Sequence, residues 1–202
     1  MIDTRKFSVY LRGFKEDDYK QINKWRNDPH IQQLVSTSFK YVSEAIELEW
    51  VKQKMMDNRK DIYLAICLKD DNKMIGYTSL NNIDYINRSV HGGGIVIDKE
   101  FQNGLERYEV GILMRELAFD HLNLNRYTAS CIAEHIVSRI TLEAMGFQLE
   151  GYLRQSVYKD GKYHDQYIFS LLREDYYRMV NNGEYTLSSY LKKIKQLKKT
   201  IK

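Results

Sequence analysis

The sequence predicts an α/β (α+β) fold, a mixed central β-sheet with helices on both faces. Three observations carry that expectation. Segments of alternating apolar and polar residues interleave with segments whose apolar residues recur every three to four positions. A single proline, Pro29, and the lack of any Ser/Gly-rich tract leave no interdomain linker in the 202 residues. Hydrophobic residues make up 43% of the chain, enough for one packed core. No run approaches the roughly 18–20 uncharged apolar residues of a spanning helix.

FSVYLRGF (7–14) alternates as a strand does. In KEDDYKQINKWRND, Tyr19, Ile22, Trp25 and Arg26 fall on helical spacing until Asp28-Pro29 stops the helix. Ser43 caps a second helix, SEAIELEWVKQKMMDN, whose Ile46, Trp50 and Val51 keep the period. Ile46 stands where a capping-box glutamate would, and Glu47 misses that place by one. DIYLAICLK (61–69) and MIGYTSLNNID (74–84) form a hairpin across a DDNK turn. SVHGGGIVID (89–98) is a third strand, and its glycine run marks a bulge or a close approach by a ligand or another backbone. A polar turn, FQNGLERYEV, leads into a helix through Val110, Leu113, Leu117, Ala118 and Leu122. RYTASCIA (126–133) reads as a buried strand and HIVSRITLEAM as a short helix closed by Gly146. FQLEGYLRQSVY and KYHDQYIFSLL flank Lys159-Asp160-Gly161 as a hairpin, and EDYYRM and YTLSSYLKKIKQLKK read as terminal helices.

The net charge of +4 belongs to the end of the chain. Lys192, Lys193, Lys195, Lys198, Lys199 and Lys202 follow the last acid, Glu184, and without them the chain carries about −2. Such a tail reads as a solvated helix face, and the 16 tyrosines are not arranged as an RNA-reading motif, so nucleic acid is not an expected partner. Mean hydropathy of −0.55 argues against a membrane protein, and MIDTRKFSVY has charges where a signal peptide places its apolar core. Cys67 and Cys131 lie in strand-like runs and read as reduced core residues, which fits the cytoplasm.

The element order, together with WRNDP at the end of the first helix, Glu109-to-Phe119 in EVGILMRELAF, and EAMGFQLEGYLRQ followed by DGKYHDQYIFSLL, resembles the GNAT acetyltransferases. The likeness is closest to the RimJ/RimL-like branch and runs from about Phe7 to about Tyr177. It implies a GNAT domain over 1–180 with a basic helical extension at 181–202. It also implies acetyl-CoA as co-substrate, lying in a V between GGGIVID and RYTASCIA. Its pantetheine would run along Ile95, Val96 and Ile97. Its pyrophosphate would rest on Gln102, Asn103, Gly104, Leu105 and Arg107, where helix N-terminal amides favour an anion. The implied reaction is direct attack of a primary amine on the thioester, with backbone N–H groups holding the oxyanion and no metal taking part. A protein N-terminus, a polyamine or an amino-sugar are the acceptors of that branch.

The chain departs from the family pattern at three places. In the loop Q/R-x-x-G-x-G/A, Gln102 fits, but Leu105 and Arg107 fill the glycine positions and Gly104 is displaced by one. On the following helix His135 replaces the usual Asn, Ser138 holds the small position, and Leu142 replaces the tyrosine acid. Ser138 is then the candidate to protonate the departing thiolate, with His135 as assistant or as helix N-cap. The usual glutamate base is absent, and His91 is the candidate in its place. Asp165, with Tyr163 and His164, falls on the acceptor side or in a hydrogen-bonded turn. The alternative reading is a GNAT-like protein that has lost this chemistry and acts as a binding or regulatory module. The stripe Tyr190, Leu191, Ile194 and Leu197 offers a face for a homodimer.

Overall fold

The computed structural model of the chain describes every residue except 1, 3–5, 36–39, 57–58 and 201–202. Its strands are β1 (Val9–Gly13), β2 (Ile62–Leu68), β3 (Met74–Asp84), β4 (Ser89–Ile97), β5 (Arg126–Ile132), β6 (Gln148–Lys159) and β7 (Lys162–Leu172). Its helices are α1 (Asp18–Asn27), α2 (Pro29–Leu34), α3 (Glu44–Met56), α4 (Glu106–Glu116), α5 (Ile136–Ala144), α6 (Arg173–Asn181) and α7 (Leu187–Thr200). The strands make one mixed sheet in the order β1-β2-β3-β4-β5-β7-β6. Among the described residues, only β4 and β5 run parallel. This is the class that the alternating and helical periods predict.

Strand alternation splits the core into two layers. Val9, Leu11, Leu64 and Ile66 face the layer shared with α4, α5, α6 and α7. Tyr10, Ala65 and Cys67 face Ile22, Trp25 and Val51 from α1 and α3. Each fully buried Leu, Ile or Phe contributes about 1.5–3 kcal/mol, so these two stripes hold the helices to the sheet. Cys67 and Cys131 are buried free thiols.

Local chemistry explains where elements begin. The Arg12 guanidinium grips Asp18 with two bonds, 2.7 and 2.9 Å, and the Lys15 amide donates to the same carboxylate, fixing the first turn of α1. Asp28-Pro29 does not only end a helix, as the sequence reading had it. Asp28 accepts from the His30 amide and Pro29 takes the first position of α2, where a missing N–H costs nothing. Ser43 Oγ accepts the Ile46 amide at 3.4 Å and caps α3. Glu47, one place past the capping box, turns inward and lies fully buried 3.5 Å from Arg26 Nε. The helix after the polar turn continues beyond α4 as a π-helical segment, Leu117–His121.

The terminal stripe serves the chain itself. Tyr190 and Ile194 of α7 are buried, Leu191 and Leu197 pack against the same core, and α7 lies on α5. The face that the sequence offered for a homodimer is therefore covered within one chain.

Candidate active site

β4 and β5 are paired only at their starts, Ser89–Arg126, Val90–Tyr127 and His91–Thr128, and then part. The fork exposes one edge of β4 just where its glycines stand. The β3–β4 register slips between Thr78 and Leu80, and Gly94 adopts a φ of +83° that disfavours any side chain. A Cβ on Gly93 would collide with Ser79 Oγ. Thr78 Oγ1 donates to the Gly94 carbonyl at 2.8 Å and holds the bulge. Because a trans peptide is planar, the Ile95 N–H of the same unit points the opposite way, away from β3 and toward the fork. That amide is placed to receive a developing oxyanion.

The two faces of the fork's vertex carry different groups. On one face His91 Nδ1 meets Thr128 Oγ1 at 3.1 Å, and burial lowers the imidazole pKa. On the other, Tyr127 lies against Gly92, with Phe147 edge-on to its ring and Phe119 tilted beside it. Neither Thr128 nor Tyr127 stood out in the sequence. Their partners lie on another strand, and parallel register leaves no local signal.

The α5 residues are close in sequence to the fork. His135 Nδ1 accepts the Ser138 amide at 3.1 Å, so it caps α5 and that lone pair is committed. The Ser138 hydroxyl has no hydrogen-bond partner among the described residues. Leu142 packs into the core.

The polar turn is held by several side-chain bonds of its own. Asp98 caps a short 3₁₀ turn, Lys99–Phe101, and also accepts from Trp25 Nε1 at 2.9 Å. The Gln102 side chain bridges the Ile97 carbonyl and His30 Nε2, at 3.2 and 3.0 Å. Ile97 itself is buried, Val96 packs beside Trp25 and Tyr77, and Ile95 is exposed. Asn103 is exposed, and Leu105 is the cap residue of α4 in ordinary right-handed backbone. Arg107 stacks on Tyr108 at 4.5 Å and bonds its hydroxyl, while its Nε has no hydrogen-bond partner among the described residues. Glu106, which the sequence reading passed over, folds its carboxylate back over Gly104, where a Cβ would collide with it. Its Oε2 is buried without a hydrogen-bond partner. Gly104 is needed for that fold-back.

Across the fork, Lys159 at the β6–β7 tip is buried and donates to the carbonyls of Gln32, Gln33 and Val35, at 2.9, 2.9 and 2.7 Å. It thereby ties the end of α2 to the hairpin. Asp165 accepts from the Tyr152 hydroxyl and from the Gln155 amide at 2.6 Å, which hold its carboxyl below the usual range. His164 contacts Glu134 and the Lys159 carbonyl, and Tyr163 packs on Tyr158. These three residues thus shape the hairpin. The described residues contain no cluster of three metal-ligating side chains.

A family model described as "Acetyltransferase (GNAT) domain" matches residues 8–148. The uncharacterized N-acetyltransferase YnaD of Bacillus subtilis is 23% identical over 83% of this chain and 95% of its own length. The putative ribosomal N-acetyltransferase YdaF of the same organism is 33% identical over 52% of this chain and 57% of its own. The crystal structure of spermidine N-acetyltransferase from Vibrio cholerae in complex with CoA and spermine superposes with a TM-score of 0.78. It is 23% identical and covers 84% of this chain and 98% of that one.

Proposed function

The chain belongs to the GNAT acetyltransferase family, and on that premise we propose that it is a RimJ/RimL-like enzyme moving an acetyl group from acetyl-CoA to a primary amine. The observation that carries this reading is the fork: a parallel pair that parts after His91 and Thr128, beside a glycine bulge whose Ile95 amide faces outward. An extended pantetheine arm fits along the exposed β4 edge at Gly93–Ile95, where two glycines leave the backbone bare. The acyl carbonyl then comes within reach of the Ile95 N–H. His91, neutral and on the opposite face, takes a proton from the attacking amine. The amine nitrogen bonds to the carbonyl carbon, the carbon–sulfur bond breaks, and coenzyme A leaves as the thiol. Ser138, with its free hydroxyl at the start of α5, is close in sequence to the fork and remains a candidate contact for the sulfur. The relative crystallised with spermine supports a polyamine as the first acceptor to try.

The test is a titration of acetyl-CoA followed by thermal unfolding. Ligand at a hundredfold its dissociation constant should stabilise the fold by about 2.7 kcal/mol. Turnover is then sought with spermidine, glucosamine and a short peptide bearing a free N-terminus. A flat response at millimolar acetyl-CoA overturns the transferase reading and leaves a binding module.

A further inference from the structure

Tyr127 is held rigidly but bonded to nothing. Its ring is fixed by Phe147, centroids 5.5 Å apart at 84°, and by Phe119 at 6.4 Å. The residue is 8% exposed. Its hydroxyl has no hydrogen-bond partner among the described residues. That oxygen is not one of the sealed polar atoms of the described residues, and an open, unpartnered hydroxyl on a fixed ring calls for an explanation.

The position supplies one. Tyr127 pairs with Val90, and its ring leans along β4 toward the opening of the fork, over Gly92. A Cβ at residue 92 would stand 2.6 Å from a Tyr127 ring carbon and 2.9 Å from its hydroxyl oxygen. The glycine is therefore what lets the phenol reach the vertex. Tyr127 and His91 leave the vertex on opposite faces, because successive residues of a strand alternate.

We propose that the Tyr127 hydroxyl is the group that donates its proton to the departing sulfur. The assignment rests on the acetyl-transfer reading, which lays the thioester in the fork. The amine loses its proton to His91 as the carbon–nitrogen bond forms. As the carbon–sulfur bond breaks, its electron pair goes to sulfur and the Tyr127 proton follows. Solvent returns a proton to the phenolate, and His91 releases one, so the net reaction is amine plus thioester to amide plus thiol. Burial pushes the Tyr127 phenol up to about 12, with the nearby Arg115 guanidinium pulling the other way. At neutral pH the group is thus a donor and not a base.

Tyr127→Phe is the test, because it keeps the ring and removes only an unbonded hydroxyl. Its melting temperature and its affinity for acetyl-CoA should match the wild type within twofold. Its kcat should fall on the order of 100-fold, the usual size of a general-acid contribution. A second arm needs no acceptor: the pH at which enzyme-bound coenzyme A ionises, followed by thiolate absorbance. That pH should be lower in the wild type than in Tyr127→Phe. Arg115 of α4 is the charged group that acts on Tyr127, and it is common to both proteins, as are His91 of β4, Glu106 of α4 and His135 at the start of α5. Equal ionisation and equal kcat overturn the Tyr127 assignment alone. A wild type that binds no acetyl-CoA overturns the transferase reading, and Tyr127 falls with it.

Discussion

The Thr128 hydroxyl sits between two partners, donating to the Val90 carbonyl at 3.1 Å and standing 3.1 Å from His91 Nδ1. A hydroxyl has one proton, and the carbonyl can only accept it. Thr128 therefore accepts from His91, which fixes the proton on Nδ1 and leaves Nε2 bare. A residue on β5 thus selects the tautomer of a residue on β4.

That tautomer is the one a general base needs, and it sets a pH dependence. Burial lowers the His91 pKa, so kcat/KM should rise with pH through a value below the ordinary 6.5 or so. His91→Gln should lower kcat by about 100-fold and abolish that limb. Thr128→Val should keep the limb but lower kcat, since Nδ1–H loses its acceptor. A full acid limb in His91→Gln excludes His91 as the base.

Glu106 opposes the ligand that the fork invites. A carboxylate beside the first amides of α4 is favoured by the helix dipole, but a pyrophosphate would compete for the same amides. Glu106→Gln should therefore tighten acetyl-CoA binding, by about 0.3–1 kcal/mol, and more strongly at low salt. Leu105→Gly should do less, because Leu105 already holds right-handed backbone that glycine does not improve. Calorimetry at two ionic strengths measures both. Weaker binding in Glu106→Gln would mean that the carboxylate organises the loop.

Glu47 makes a prediction about stability alone. It is fully buried, neither oxygen has a hydrogen bond, and Arg26 Nε is 3.5 Å away while its guanidinium stacks on Trp50. Burial raises the Glu47 pKa, and Arg26 offsets this only in part. A carboxyl whose pKa is higher folded than unfolded binds more protons when native. Its penalty is therefore absent below the unfolded value near 4.5 and grows as pH rises through the folded one. Glu47→Gln should gain stability over the wild type at pH 7, and the difference should shrink toward pH 4. Urea unfolding at both values decides it. A larger loss at pH 7 than at pH 4 would show that the attraction of Arg26 dominates.

The strands and most helices were legible because their signals are local. Alternation, the DDNK and Lys159-Asp160-Gly161 turns, and the glycine run of β4 each act over a few residues. Asp28-Pro29 stops α1 as expected, but α2 was not legible, because the same proline also suits the first turn of a new helix. The candidate site was legible only in outline. His91 was visible as a residue type, and His135 as a cap. The pairs that give the vertex its chemistry, His91 with Thr128 and Gly92 with Tyr127, join two strands whose register is set by tertiary packing. The stacking of Arg107 on the adjacent Tyr108 ring was not legible either, because it depends on side-chain conformation and not on spacing.

Lys159 tests the proposal that α2 and the β6–β7 hairpin form the acceptor side. Its ammonium satisfies three carbonyls at the end of α2, groups that a helix C-terminus otherwise leaves orphaned. The same residue closes a cavity of about 220 Å³ with Pro29, Gln32, Gln33 and Asp160. Lys159→Met keeps the stem and removes the donors, and should cost about 1–3 kcal/mol. The α2 helix then loses its tie to the hairpin, while its other tie, His30 to Gln102 beside the fork, remains. The amine KM should rise several-fold as the acceptor side loosens, and the acetyl-CoA dissociation constant should hold. A matched loss of both affinities would mean that the tie supports the whole fork and not the acceptor side alone.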